Sequence, residues 1–225
     1  MTRPHNHDPA AGPIVDPAIS HSVEKLLERV GAIQTGHFVL SSGLHSDRYC
    51  QCARLFEDPA AAAMVARLMK ESLPRTIRVQ TVLGPAMGGV VWAYELAREL
   101  GARAVFCERP KGASEGFELR RGFRLEPGER VLIAEDVITT GKSVLEAAPL
   151  VKEAGAELVG FACVVDRSRG SFDAGLGVPT WGLCELEFKT WPADECPMDA
   201  AGLPIEKPGS RPEESGDAGG GKKEA

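Results

Sequence analysis

Two adjacent carboxylates, Glu135 and Asp136, stand at the end of an apolar run and before a segment rich in glycine and hydroxyl residues, VLIAEDVITTGKS (131–143). Paired carboxylates can accept hydrogen bonds from a vicinal diol, as acidic residues do with ribose. A Thr, Gly and Ser turn that opens a helix presents backbone N–H groups and the positive helix end, which together bind phosphate. A diol beside a phosphate describes a 5-phosphoribosyl group, and the segment predicts a site for one.

Two other interpretations of this segment stay open at this point. Gly141, Lys142 and Ser143 match the end of the nucleotide P-loop pattern G-x-x-x-x-G-K-[ST], but that pattern requires glycine where this chain has Asp136. Alternatively, the acids are simply solvated at a strand end and Thr140 or Ser143 caps the next helix. Capping explains the hydroxyl residues but does not explain why two carboxylates stand together at the end of the strand.

Helical and strand patterns alternate along the middle of the chain, and the acidic segment falls between a strand and a helix. Predicted helices cover 19–32, 57–74, 90–101 and 143–155, and predicted strands cover 79–84, 103–107, 130–135 and 157–165. Asp58 and Pro59 are a typical N-cap and first helical residue, whereas Pro149 lies inside a helical pattern that it would bend or end. Apolar strands separated by helices predict an α/β fold with a parallel sheet covered on both faces. Such sheets bind ligands at the carboxyl ends of their strands.

Composition limits the other classes of function. The chain has 225 residues, a formal net charge of −6 and a sequence pI near 5.5, which argues against a nucleic-acid partner. We expect no membrane partner, because no segment approaches the length of an apolar spanning helix. The six cysteines show no zinc-type spacing, which favours reduced core thiols and a cytoplasmic location. We expect a disordered tail over 1–19, one folded domain over 20–206 and a second disordered tail over 207–225.

The acidic segment resembles the phosphoribosyl-diphosphate motif of the type I phosphoribosyltransferases. Further stretches resemble the orotate phosphoribosyltransferases within that group: FVLSSGLHSDRYCQ (38–51), GPAMGGV (84–90), CVVDRS (163–168), DECP and KPGSR. The resemblance covers nearly all of 20–206. It implies a type I phosphoribosyltransferase-like central parallel sheet flanked by helices, with a small hood formed from N- and C-terminal segments.

The resemblance also implies roles for individual residues. The phosphoribosyl diphosphate would contact Pro85, Ala86, Met87, Gly88, Glu135, Asp136, Val137, Ile138, Thr139, Thr140, Gly141, Lys142 and Ser143. Orotate would contact Thr139, Arg167 and Tyr49, and a guanidinium such as that of Arg167 suits the orotate carboxylate. Mg²⁺ is the implied cofactor, held mainly by the substrate diphosphate. The residues alone are also compatible with purely structural roles. Arg167 could form a surface ion pair, Tyr49 could be a core tyrosine, and GPAMGGV could be a plain strand-to-helix turn.

The segment 108–123 resembles a shortened form of the family's mobile loop, in which Arg109 and Lys111, with Asp136, are the implied catalytic residues. In this family the loop usually serves the neighbouring subunit, which implies a homodimer. Many members of the family carry lysines at two places where this chain does not. Ser41 stands at one of them, and Met87 and Gly88 stand at the other. The loop could otherwise be a solvated β-hairpin.

Two other functions compete with transfer to orotate. One is transfer to a different base, such as a purine. The other is a non-catalytic regulator that senses the same diphosphate and binds RNA or DNA, which the acidic chain disfavours.

Overall fold

A computed structural model describes residues 14–40 and 42–207, which form two compact units. Within the described residues, the first unit comprises 14–34 and 50–187, and the second comprises 35–49 and 188–207. The second unit therefore combines an N-terminal and a C-terminal segment, which are the two sources predicted for the small hood. None of the helices in these ranges has the length and apolar character needed to cross a bilayer.

The first unit is built on a six-stranded sheet with the order β5-β4-β3-β6-β7-β8. Strands β3, β4, β6, β7 and β8 are mutually parallel, and the short β5 runs antiparallel to β4. The second sheet has the order β1-β2-β9. The strands are β1 (Ile33–Val39), β2 (His45–Cys50), β3 (Thr81–Pro85), β4 (Arg103–Glu108), β5 (Glu118–Leu119), β6 (Arg130–Ile138), β7 (Glu157–Asp166), β8 (Thr180–Glu185) and β9 (Thr190–Trp191).

Within the described ranges five α-helices accompany the strands, and the predicted helices are all present. They are α1 (Pro17–Arg29), α2 (Pro59–Ser72), α3 (Gly88–Leu100), α4 (Lys142–Glu153) and α5 (Pro197–Ala200). Asp58 caps α2 as predicted, since its Oδ1 accepts from the N–H of Ala60 at 2.9 Å. Pro149 does not end α4, because the helix buries Val144, Ala147 and Val151 against the sheet and this burial outweighs one lost backbone bond.

The described secondary structure begins earlier than residue 20, where the sequence places the domain boundary. Ile14 pairs with Trp181 beside β8, and α1 begins at Pro17. Asp16 caps this helix through its Oδ1, which accepts from the N–H of Ala18 at 2.8 Å. The sequence thus contained the start signal, an Asp-Pro pair like that of α2. Residues 1–13 and 208–225, the rest of the two predicted tails, lie outside the described ranges.

Strand β6 crosses the centre of the core, with Glu129 buried directly before it and Glu135 buried within it. Residues 131–134 are fully buried, in agreement with the prediction of strands covered on both faces. At the amino end, Glu129 accepts hydrogen bonds from the Thr81 hydroxyl, from Nη1 of Arg103 at 2.5 Å and from the N–H of Glu126 at 2.8 Å. Burial opposes ionisation of Glu129, but these three donors together hold its pKa below the usual value. The other glutamate, Glu135, has a different environment.

Candidate active site

The acidic pair occupies the carboxyl end of β6. Glu135 is buried and Asp136 is half-buried, and the N–H of Val137 donates to Asp136 Oδ1 at 2.8 Å. Burial raises the pKa of Glu135 to about 9, and the adjacent Asp136 carboxylate adds to this rise. Burial also raises the pKa of Asp136. The two groups therefore hold a proton between them at neutral pH, as close carboxylates do when they share a site.

A small cavity of about 190 Å³ opens beside the acids, at the amino end of α4. Its lining consists of residues from one continuous stretch, namely Glu135, Val137, Ile138, Thr139, Thr140, Gly141, Lys142, Ser143 and Val144. The N-cap residue of α4 is Gly141 at φ 74°, which has no side chain to cap the helix. Thr140 Oγ1 accepts from the N–H of Lys142, the first helical residue, at 3.4 Å, so the alternative in which Thr140 caps the helix keeps structural support. The Ser143 hydroxyl interacts with Glu135. The residues at the helix end line the cavity.

The ring of Phe172 packs against Gly141, the N-cap residue of α4. A Cβ placed on Gly141 would lie 1.9 Å from the Phe172 ring, so this position accepts only glycine without movement. Phe172 is held by its N–H, which donates to Ser168 Oγ at 3.2 Å, and the N–H of Ser168 donates to Asp166 Oδ1 at 2.8 Å. Phe172 and Ser168 were not singled out from the sequence, because neither belongs to the motif and only the fold brings them to Gly141.

The GPAMGGV turn lies directly against the acidic pair. A Cβ on Gly88 would lie 2.5 Å from Asp136 Oδ1, and one on Gly89 would lie 2.6 Å from the Ala134 carbonyl oxygen. These glycines therefore let the start of α3 approach the end of β6. Pro85 ends β3, the N–H of Ala86 donates to the Cys107 carbonyl at 2.9 Å, the Ala86–Met87 peptide is cis, and Met87 is 84% exposed. The turn predicted to contact the diphosphate thus lies beside the acids, at the carboxyl ends of β3 and β6.

Arg167 follows β7, the strand next to β6. Ile138 and Asp166 are paired across these two strands, and the N–H of Arg167 donates to the Ile138 carbonyl at 2.8 Å. Thr139 and Arg167 are thus the next residues of two adjacent strands at their carboxyl ends. The structure therefore brings together these two of the residues predicted to contact orotate.

Tyr49, the third of them, belongs to the second unit. It is half-buried, and its ring lies 5.7 Å from that of Phe38 between centroids. This contact is compatible with the alternative that Tyr49 is a core residue, and its role towards orotate stays a prediction.

The segment 108–123 is partly a β-hairpin, since β5 pairs with the end of β4. Arg109 donates from Nη1 to Glu146 Oε2 of α4 at 2.6 Å, and its guanidinium lies over the Phe117 ring, 4.5 Å from the centroid. Lys142 binds Glu115 of the same segment at 2.9 Å. The ammonium group of Lys142 therefore forms an ion pair with the segment 108–123, and Lys142 also lines the cavity. Lys111 is exposed and forms no ion pair with any described residue.

Three larger cavities among the described residues lie away from this site. One of about 840 Å³ is lined by residues such as Lys70, Gln80 and Glu99 near the amino ends of the strands, and one of about 910 Å³ lies along α4 around Pro149 and Leu158. The third, of about 430 Å³, is lined by residues of α3 and β4 and by Phe123. None of the three is lined by the acidic pair or by the amino end of α4. The small cavity is the better candidate site because ligands of parallel sheets bind at the carboxyl ends of strands.

Comparison with known proteins agrees with the arrangement of these residues. A profile of the phosphoribosyl transferase domain matches residues 52–176. An orotate phosphoribosyltransferase of Thermotoga maritima is 47% identical over 189 residues, which are 84% of this chain and 98% of that protein. One of Caldanaerobacter subterraneus is 45% identical over the same length, covering 84% of this chain and 96% of the relative. The crystal structure of orotate phosphoribosyltransferase from Aeropyrum pernix matches with a TM-score of 0.64 at 29% identity, over 73% of this chain and 93% of that one.

The shared sequence spans the acidic segment, the glycine turn and the strand that carries Arg167, and on this ground the chain belongs to the orotate phosphoribosyltransferase family.

Proposed function

We propose that this chain transfers the 5-phosphoribosyl group of 5-phosphoribosyl 1-diphosphate to N1 of orotate, giving orotidine 5′-phosphate and diphosphate. This is the reaction that forms the nucleotide in pyrimidine (UMP) biosynthesis. The observation that carries the proposal is the cavity at the amino end of α4, which has Glu135 in its wall and Arg167 on the adjacent strand.

Glu135 and Asp136 hold the two ribose hydroxyls in this proposal. The hydroxyls donate to the carboxylates, so binding of the donor favours the ionised form of both acids. Residues 137–143 hold the 5′-phosphate through backbone N–H groups, hydroxyls and the helix end. The exclusion of a side chain at Gly141 keeps that space open.

Orotate lies against Thr139 and Arg167, with its carboxylate on the guanidinium, and Tyr49 flanks the ring. The bond between ribose C1 and the diphosphate oxygen breaks through an oxocarbenium-like transition state, and the diphosphate leaves with the bonding electron pair. N1 of orotate forms the new bond to C1, and its N–H proton is released to solvent. The protein positions the two reactants and compensates the charge that grows on the leaving group.

The leaving diphosphate contacts Pro85, Ala86, Met87 and Gly88. Mg²⁺ fits this edge, since the oxygens of Glu135 and Asp136 are the hard ligands it prefers, although the diphosphate would hold it in the main. When bound, the ion supplies positive charge to the diphosphate oxygens.

Arg109 and Lys111 add cationic charge from the segment 108–123 of a partner subunit, which makes the working form a homodimer. This proposal requires the ion pair between Arg109 and Glu146 to open before the reaction, since it holds the segment on its own chain. The six cysteines are all free and buried, which is consistent with a cytoplasmic enzyme.

Release of diphosphate, measured with orotate, uracil and purine bases side by side, tests the assignment. Arg167→Ala should raise the KM for orotate by orders of magnitude, because removing one partner of a buried charge pair costs about 3–5 kcal/mol. Donor affinity should stay near that of the wild type.

Arg169→Ala is the matched control, since Arg169 lies two residues further along, with its side chain 60% exposed and paired with Glu187. Unchanged orotate kinetics in Arg167→Ala, or equal rates with a purine, would contradict the assignment of the base.

A further inference from the structure

The second unit contains a cluster of four side chains that can bind a metal ion: His37, His45, Cys196 and Asp199. His37 lies in β1 and His45 in β2, whereas Cys196 is the N-cap residue of α5 and Asp199 lies within that helix. One ligand atom from each residue lies within 4.8 Å of all the others. The two histidines and the cysteine are buried, and the Asp199 side chain is 32% exposed. Chain segments more than 140 residues apart thus converge on one point.

The distances approach those of a tetrahedral site. His37 Nε2 lies 3.6 Å from Cys196 Sγ and 3.7 Å from Asp199 Oδ2. Zinc bonds of about 2.0–2.3 Å place tetrahedral ligands roughly 3.3–3.8 Å apart, which includes both values. His45 Nδ1 is closer, at 2.8 Å from His37 Nε2 and 2.6 Å from Asp199 Oδ2. His45 Nδ1 must therefore move away from both atoms to share an ion with them, and all four ligand atoms already lie within 4.8 Å of one another.

The protons of the cluster direct lone pairs towards its centre. His37 Nδ1 lies 3.0 Å from the Leu203 carbonyl oxygen, which can only accept, so Nδ1 carries the proton and the neutral ring turns the Nε2 lone pair inward. A backbone carbonyl on the outer nitrogen is the usual support of a metal-binding histidine. Asp199 Oδ2 is buried and, among the described residues, accepts no hydrogen bond of acceptable geometry, although it lies 2.6 Å from His45 Nδ1. A proton on His45 Nδ1 can be donated to His37 Nε2 at 2.8 Å, but it cannot satisfy Asp199 Oδ2 as well. A cation between the three atoms satisfies all of them.

The small size of the second unit gives such an ion a structural role. Within its described residues, the buried apolar side chains are Phe38, Phe188 and Cys196 itself. Units with so small a core commonly depend on a disulfide or a metal for stability. Every cysteine of this chain is free. A metal held by His37, His45, Cys196 and Asp199 would join β1 and β2 to the C-terminal segment.

We propose that His37, His45, Cys196 and Asp199 bind one structural Zn²⁺ ion. The mixture of sulfur, nitrogen and oxygen donors suits zinc, whereas Mg²⁺ prefers oxygen alone. Four protein ligands complete a tetrahedral shell and leave no open position for substrate, so the ion stabilises the unit and performs no chemistry. This site is independent of the acidic pair and of the transfer reaction.

The zinc content of the purified full-length chain tests the proposal. Protein saturated with Zn²⁺ and then dialysed should retain about one equivalent per chain by plasma mass spectrometry. Cys196→Ser and His45→Gln should each reduce this to below about a tenth. His21→Gln is the matched control, because His21 lies on α1 with an exposed side chain and should leave the zinc content unchanged.

Cobalt provides a readout that does not depend on the folding of any variant. Wild-type chain stripped of zinc and titrated with Co²⁺ should show tetrahedral visible bands and a thiolate-to-cobalt charge-transfer band, saturating at about one equivalent. A wild-type chain that retains no zinc and shows no thiolate band would overturn the proposal. Full zinc content in both Cys196→Ser and His45→Gln would overturn it equally, because the metal would then be bound elsewhere.

Discussion

Two buried glutamates, Glu135 within β6 and Glu129 directly before it, should respond to pH with opposite sign. Glu135 has a raised pKa at the candidate site, whereas Glu129 has a lowered pKa and three hydrogen-bond donors at the amino end of the strand. Glu135→Gln and Glu129→Gln are therefore a matched pair of variants that make the same chemical change six residues apart. The first should stabilise the unliganded protein above neutral pH, and the second should destabilise it.

The expected magnitude follows from the pKa of Glu135. Its value rises from 4.5 to about 9 on folding, so between these pH values the folded state binds a proton that the unfolded state releases. The free energy of unfolding therefore falls as pH increases through this window. One pKa unit corresponds to about 1.4 kcal/mol, and the Glu135 contribution should fall by roughly 2–3 kcal/mol between pH 5 and pH 7. Glu135→Gln cannot ionise and should lose this slope.

Glu129 behaves in the reverse manner. Because its folded pKa is lowered, its ionised form stabilises the protein above pH 4.5, and that stability is lost only as pH falls through the folded value. Replacing it with glutamine removes charged hydrogen bonds of about 1.5–3 kcal/mol each. This loss should be largest at neutral pH.

Urea unfolding of the two variants and the wild type from pH 5 to pH 8.5 measures the Glu135 slope, and an extension to about pH 3 measures the Glu129 slope, which lies below pH 4.5. Glu135→Gln should also weaken binding of the phosphoribosyl donor, because the diol loses a charged acceptor. A Glu135→Gln variant that is less stable than the wild type at pH 8, or that retains the pH slope of the wild type, would refute the shared-proton interpretation of the acidic pair.

Two further predictions concern the phosphate-binding residues 137–143 and the segment 108–123. Gly141→Ala should cost about 1–3 kcal/mol of stability from overpacking against Phe172 and should abolish donor binding. Gly175→Ala is the control, because Gly175 is exposed and also at positive φ but has open space around it. Calorimetric donor binding of Gly141→Ala at wild-type strength would contradict the phosphate-binding role of residues 137–143. Arg109→Ala should depress kcat far more than donor binding, and mixing it with Asp136→Asn subunits should restore part of the activity, since each mixed dimer has one complete site. No recovery after confirmed subunit exchange would mean that the loop does not serve the partner's site.

Local signals in the sequence were sufficient to predict the strands and helices that form the core of the fold. The apolar runs of β6 and β7 predicted buried parallel strands, and the Asp58–Pro59 pair predicted the start of α2. Glu135 and Asp136 were predicted to end the strand, but β6 continues to Ile138, so the pair lies within its carboxyl-terminal part. These features depend on residues within a few positions of one another, where periodicity and capping are visible.

The remainder depends on contacts that no short segment contains. β1 and β2 read IQTGHFV and HSDRYC, which are too polar to show a strand pattern, and they form a sheet through partners elsewhere in the chain. The contact of Phe172 with Gly141 needs the turn after β7. The cysteine spacing does not reveal the proposed zinc site, because three of its four ligands are not cysteines and the four come from distant segments.

Burial of every cysteine makes the native chain poorly reactive towards alkylating reagents. All six thiols are buried, which limits the access of a reagent. Burial also raises the pKa of Cys50 and Cys107 to about 12 and that of Cys184 to about 11, so the reactive thiolates of these three are scarce at neutral pH. A single cysteine introduced at an exposed position of the loop, such as Ala113→Cys, would therefore accept a fluorophore selectively without removal of any native thiol. The closing of the segment 108–123 can then be followed by fluorescence in an otherwise wild-type protein.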